Sequence, residues 1–207
     1  MALSKYEDLT DIHLDVLKEV GNIGSGNAAA ALSTLINKNV QIQMPNISIV
    51  PFQEATNLSG GAERVVAGVM SRMVGGIEGM ILILMDKNFV NTIIKVFFNQ
   101  EVHGLIDMDE TVVSALSEVG NIICGTYVSA IGQLTGIDVK LASPCFQVDM
   151  AGALMSVPVI EFGEVGDKIL YIDKNLIIDG QTMNAEVFLI PTIDSLGTIM
   201  TKLGIEV

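Results

Sequence analysis

The pentapeptide Glu19-Val20-Gly21-Asn22-Ile23 recurs without change 99 residues later as Glu118-Val119-Gly120-Asn121-Ile122. At the same offset Asp15 falls on Ser114, Gly26 on Gly125 and Pro45 on Pro144. A chance repeat of five residues does not carry a distant proline in register, so the chain reads as an internal duplication. Moving outward from each copy, the same order of elements appears twice. A long helix is expected from about 11 to 37, with Thr10 or Asp11 as its N-cap. A strand follows near 40–50. A hairpin over 64–74 and 77–85 turns at Gly75-Gly76, and a short amphipathic helix covers about 88–98. The second copy gives a helix near 110–135, strands near 138–148, 168–178 and 183–190, and a helix near 193–203. The segment before each hairpin has no clear pattern. Short turns between successive strands predict an α/β fold of the α+β type: a pseudo-twofold antiparallel sheet covered by two long and several short helices. The expectation is one domain over 1–207, with repeats at about 11–98 and 110–203 sharing a core.

On a helix of about 100° per residue, Asp15, Glu19, Asn22 and Gly26 fall within roughly 60° of one another. Leu17, Val20, Gly24, Ala28, Ala31 and Leu35 lie opposite. The second helix repeats the stripe as Ser114, Glu118, Asn121 and Gly125, with Leu116, Val119, Ile123, Tyr127 and Leu134 behind it. Each helix therefore offers solvent an acid, an amide and a glycine. Solvation does not require asparagine in a helix interior, and glycine there costs about 0.8–1.0 kcal/mol relative to alanine. Gly26 and Gly125 suit the close approach of another surface, whereas Gly21, Gly24 and Gly120 face inward for close packing. The duplicated stripe is the candidate site.

Composition excludes several other classes. Half of the 207 residues are apolar, 17% are charged, and the net charge is −13. Such a chain buries a core and is unsuited to nucleic acid, which needs clustered Lys and Arg. A partner with a basic rim fits better. Cys124 and Cys145 lack CxxC or zinc-ligand spacing and read as reduced core residues. His13 and His103 are isolated, so neither a triad nor a metal site is supported. The run Gly21–Gly26 lacks the Lys-Ser/Thr ending of a phosphate loop. The eleven methionines, among them Met80, Met85, Met150 and Met155, read as core filler. Asp107, Asp109 and Glu110 suit a helix N-terminus. The N-terminus has no signal pattern and no apolar run reaches the ~20 residues needed to cross a bilayer. A cytoplasmic monomer without membrane insertion is expected.

The pattern Asp15-x3-Glu19-x2-Asn22-x22-Pro45, repeated from Ser114 to Pro144, resembles the signature of the CheC/CheX/FliY family of chemotaxis phosphatases. That signature accepts Asp or Ser at its first position. CheX-like members carry one copy and FliY-like members add a flagellar-switch domain for which 207 residues leave no room, so the resemblance is to the CheC branch. It implies phosphorylated CheY as substrate, CheD as a partner, and no cofactor or metal of the chain's own, the Mg²⁺ being the substrate protein's. Hydrolysis of an aspartyl phosphate then needs a positioned water. Asn22 and Asn121 supply a carbonyl acceptor and an NH₂ donor for it. Glu19 and Glu118 suit pairing with a lysine of the partner. Asp15 and Ser114 tune docking, and Pro45 and Pro144 end or bend a strand. The competing readings are a non-enzymatic adaptor that binds CheD and a scaffold related to flagellar-switch proteins. Asparagine in both stripes favours the enzyme.

Overall fold

The computed structural model describes residues 6–42, 46–162, 168–178 and 180–205. After a 3-10 turn at Tyr6–Asp8, the first half runs α1 (Asp11–Ile36), β1 (Val40–Ile42), β2 (Asn46–Pro51), α2 (Phe52–Leu58), β3 (Val65–Gly75), β4 (Gly79–Met85) and α3 (Lys87–Phe98). The second half repeats that order as α4 (Glu110–Thr135), β5 (Val139–Leu141), β6 (Cys145–Met150), α5 (Ala151–Phe162), β7 (Lys168–Ile178), β8 (Gln181–Pro191) and α6 (Ile193–Lys202). Both long helices have 26 residues. They stop at the same place in the repeat, through left-handed Asn37 and Gly136, 99 residues apart. Asp109 caps α4 by accepting from the Val112 N–H at 2.9 Å, as its acidic N-terminus suggested.

The eight strands among the described residues join one antiparallel sheet in the order β1-β7-β8-β4-β3-β5, with β2 also on β7 and β6 also on β3. β4 and β8 meet at the centre, and each half lays its first two strands on the other half's hairpin. Val40 stands opposite Ile178, and Met73 opposite Leu141. This exchange makes the halves interdependent, because neither completes its own side of the sheet.

Burial on both faces explains why β4 is apolar throughout. Ile81, Ile83 and Met85 pack with α1, α3, α4 and α6. Met80, Leu82 and Leu84 face the smaller layer made by α2 and α5. Beneath that layer the carboxylate of Glu186, 2% exposed, pairs with the Arg64 guanidinium at 2.6 Å. The Arg64 carbonyl accepts from the Ala151 N–H at 2.8 Å, so the pair is tied to the start of α5. Tyr6, also buried, donates its hydroxyl to the Pro191 carbonyl at 2.9 Å, and burial raises its pKa.

Several expectations need correction. The strands expected over about 40–50 and 138–148 are each two strands. In the second half the break is Ala142-Ser143-Pro144, where proline lacks the N–H a ladder requires. Pro45 lies outside the described residues. The unassigned segments before the hairpins are α2 and α5. Cys124 is buried but Cys145 is exposed, because it begins β6, which is bonded on one side only. Met150, the last residue of that strand, is exposed too, whereas Met80, Met85 and Met155 are core. Leu35 is exposed because the row Ala28-Leu32-Ile36 takes the core side of the last turns of α1. Finally, α4 is long and apolar enough on average to cross a membrane. Its apolar side chains are instead spent on α1 and the sheet, with Leu116, Val119, Ile123 and Tyr127 buried.

Candidate active site

The two stripes are held by the inner faces of their helices. Gly24 of α1 lies against the buried ring of Tyr127 of α4, so closely that a Cβ there would sit 2.5 Å from the Tyr127 Cδ1. The Tyr127 hydroxyl is 3.0 Å from Ser25 Oγ, and Thr126 Oγ1 donates to the Gly24 carbonyl at 3.1 Å. Ser25 Oγ donates in turn to the Gly21 carbonyl. Gly120 gives α4 a similar close seat, on Val69 of β3. These contacts fix the rotation of each helix about its axis, and so decide which residues face outward. At its N-terminus α1 is capped by Thr10, whose N–H donates to Nδ1 of the buried His13 at 2.9 Å.

On the outer faces Asp15, Glu19, Asn22 and Gly26 are all exposed, as are Ser114 and Glu118. Asn121 and Gly125 are half-buried, which departs from the expectation of an exposed amide. The cause is the break between β5 and β6, which rises beside α4. It borders a groove of about 440 Å³ between Asn121, Gly125 and Ser129 on the helix, Lys140 of β5, and Ser143 and Pro144 on the link. Pro144 thus lies at the site rather than only at a strand end. A Cβ at Gly26 or Gly125 would meet no atom within 4 Å, so both stripe glycines are open toward the outside.

Charge on the stripes is only partly compensated. Asp15 Oδ1 accepts from Lys18 Nζ at 3.0 Å, an exposed pair worth about 0–1 kcal/mol. Among the described residues no cation lies within ion-pair range of Glu19 or Glu118, so both carboxylates remain available to a partner. No three His, Cys, Asp or Glu side chains among the described residues are grouped as metal ligands would be.

A larger cavity, about 870 Å³, lies away from both stripes, between α3 and the adjoining ends of β7 and β8. Part of its polar lining serves the fold. Asn91 Oδ1 accepts from the Val102 N–H at 2.9 Å, Asn99 ends α3, and Lys95 pairs with Glu101 at 3.4 Å. The stripes, by contrast, place an acid and an amide at one register twice, with Asn22 exposed and Asn121 half-buried.

Comparison with known proteins bears on the same segments. The CheC-like family matches residues 12–49, which span the first copy of the pattern. The chemotaxis phosphatase CheX family matches residues 67–156, which contain the second. The CheY-P phosphatase CheC of Bacillus subtilis (strain 168) is 29% identical over 206 residues, covering 98% of this chain and 99% of that protein. The chain is thus similar to CheC- and CheX-like chemotaxis phosphatases in both halves. The flagellar motor switch phosphatase FliY of the same organism is 22% identical over 143 residues, 69% of this chain but 37% of that protein. The crystal structure of Thermotoga maritima FliY superposes with a TM-score of 0.73 at 22% identity, covering 95% of this chain and 98% of that one, and shows the same fold.

Sequence reasoning missed the wall of the second groove. Ser129 was within reach of it, since it continues the stripe one turn beyond Gly125. Lys140 and Ser143 were not, because they come to the helix only through the path of β5 and the link that follows it.

Proposed function

We propose that this chain is a phosphatase that hydrolyses the aspartyl phosphate of phosphorylated CheY, with one site on α1 and one on α4. The observation that carries the reading is the doubled Glu–Asn pair on rigid helices, each with an open glycine one turn further on. Kinship with the B. subtilis phosphatase over almost the whole of both chains supports the reaction class.

The reaction requires a water oxygen in line with the bond between phosphorus and the aspartyl oxygen. As the new P–O bond forms, the old one breaks. The aspartate leaves as carboxylate, and the water's proton passes to phosphate or solvent. Asn22 or Asn121 holds that water through its amide, which is too weak a base to take the proton but orients the lone pair. Glu19 or Glu118, one turn earlier, pairs with a cation of the response regulator and fixes the helix over the phosphoaspartate. Gly26 or Gly125 leaves room for the substrate's backbone. Asp15 and Ser114 lie at the edge of the contact. The Mg²⁺ needed to neutralise phosphoryl oxygens belongs to the response regulator and is part of the substrate. The same reading places the chain in the cytoplasm, as a monomer with CheD as a further partner.

Phosphate release from phosphorylated CheY tests it. Asn22→Ala with Asn121→Ala abolishes the protein-dependent rate while the helical signal and the melting temperature stay near those of the parent. Full activity in this double variant refutes the mechanism and favours a docking role for the stripes.

A further inference from the structure

The two stripes carry the same acid and amide but different neighbours. Along one edge of the α1 stripe run Ile12, Val16 and Ile23, at spacings that place them beside Glu19 on both sides. Ile12 is 65% exposed, and Ile23 and Val16 are half-buried, Val16 packing with its inner side against the core. In the second copy, 99 residues on, the same positions hold Thr111, Ala115 and Ile122. A single exposed isoleucine is ordinary on a protein surface. This one lies in line with the acid of the proposed site, on a helix whose core contacts come from Leu17 and Val20 on the other side.

We infer that the Ile12–Val16–Ile23 edge is a specificity-determining contact for the response regulator, which makes the α1 site the tighter-docking of the two. The inference rests on the phosphatase reading. A partner that brings a cation to Glu19 covers Ile12 one side of it and Ile23 the other, because both flank that carboxylate on the same face. A desolvated ion pair gains most when apolar contacts around it exclude water. The occupant is therefore a receiver surface on which the cation near the phosphoaspartate is bordered by apolar side chains. At Glu118 the threonine and alanine give a smaller, more polar surround, and the docking there is correspondingly looser.

Single-site variants separate the effects. With Asn121→Ala leaving only the α1 site, Ile12→Ala raises KM for phosphorylated CheY about tenfold at unchanged kcat, as expected from losing the buried carbons. With Asn22→Ala leaving only the α4 site, Thr111→Ile lowers KM severalfold, and this graft removes nothing on which folding depends. Unchanged KM in both experiments, or a fall in kcat alone, overturns the inference. Hydrolysis that persists in the Asn22→Ala, Asn121→Ala variant instead overturns the phosphatase reading, whatever Ile12 does.

Discussion

Replacing both stripe glycines by alanine is expected to make the protein more stable and less active. Gly26 and Gly125 lie within α1 and α4 with no atom within 4 Å of an added Cβ. Nothing in the fold therefore opposes the gain in helix propensity, about 0.8–1.0 kcal/mol for each Gly→Ala. The two positions share no partner, so the effects add to about 2 kcal/mol. For a chain of this size that raises the melting temperature by about 4–8 °C. Gly24 supplies the contrast on the same helix. There the Cβ would stand 2.5 Å from Cδ1 of a Tyr127 ring that is fully buried and held at its hydroxyl by Ser25. Overpacking of this kind costs about 1–3 kcal/mol, which offsets or exceeds the propensity gain. Gly24→Ala thus gives no stabilisation or a net loss.

The activity of the Gly26→Ala, Gly125→Ala variant moves the other way. A methyl group one turn beyond each asparagine pushes the substrate away from the amide, and a displacement near 1 Å costs on the order of 10²-fold in rate. Scanning calorimetry and phosphate release from phosphorylated CheY measure the two effects on one preparation. A higher melting temperature with unchanged kcat/KM refutes the close-approach argument. A lower melting temperature refutes the claim that these positions are open.

Two further variants probe charge. Glu19→Gln with Glu118→Gln keeps side-chain size and helix propensity nearly constant, yet weakens binding to response regulator carrying a stable phosphate mimic by about 2–5 kcal/mol. Titrations at two salt concentrations check this, and equal affinity with lost turnover moves the glutamates from docking into the chemical step. Away from the stripes, Arg64→Ala removes the guanidinium from the buried Glu186 and lowers unfolding stability in denaturant by about 3 kcal/mol, whereas Arg64→Met with Glu186→Leu restores most of the loss.

What the sequence revealed, and what it hid, divides along one physical line. The stripes were legible because a helix converts spacing into direction. Residues three and four apart share a face whatever surrounds them, so Glu19 and Asn22 face outward as expected, and the inward Gly24 and Gly120 are found in close contact. The apolar run Gly79–Met85 was legible as a strand for the same local reason. Strand partners were not, because alternation fixes which face a residue takes and not which strand it lies beside. Nothing in Val40–Ile42 says that it pairs with β7 of the other half rather than with its own hairpin. The second groove suffers from the same gap. Asn121 is half-buried because the proline break at Ala142-Ser143-Pro144 lifts the chain beside α4, and a contact about twenty residues away along the chain leaves no periodic trace. The duplicated motif makes the two sites alike in acid and amide, whereas Asp15 against Ser114 and Ile12 against Thr111 make them unequal in their flanks. That inequality leaves a shared reaction to be told apart by residues outside the shared motif. Ile12 against Thr111 is where the two sites are expected to differ in docking, while Asn22 and Asn121 are expected to do the same chemistry.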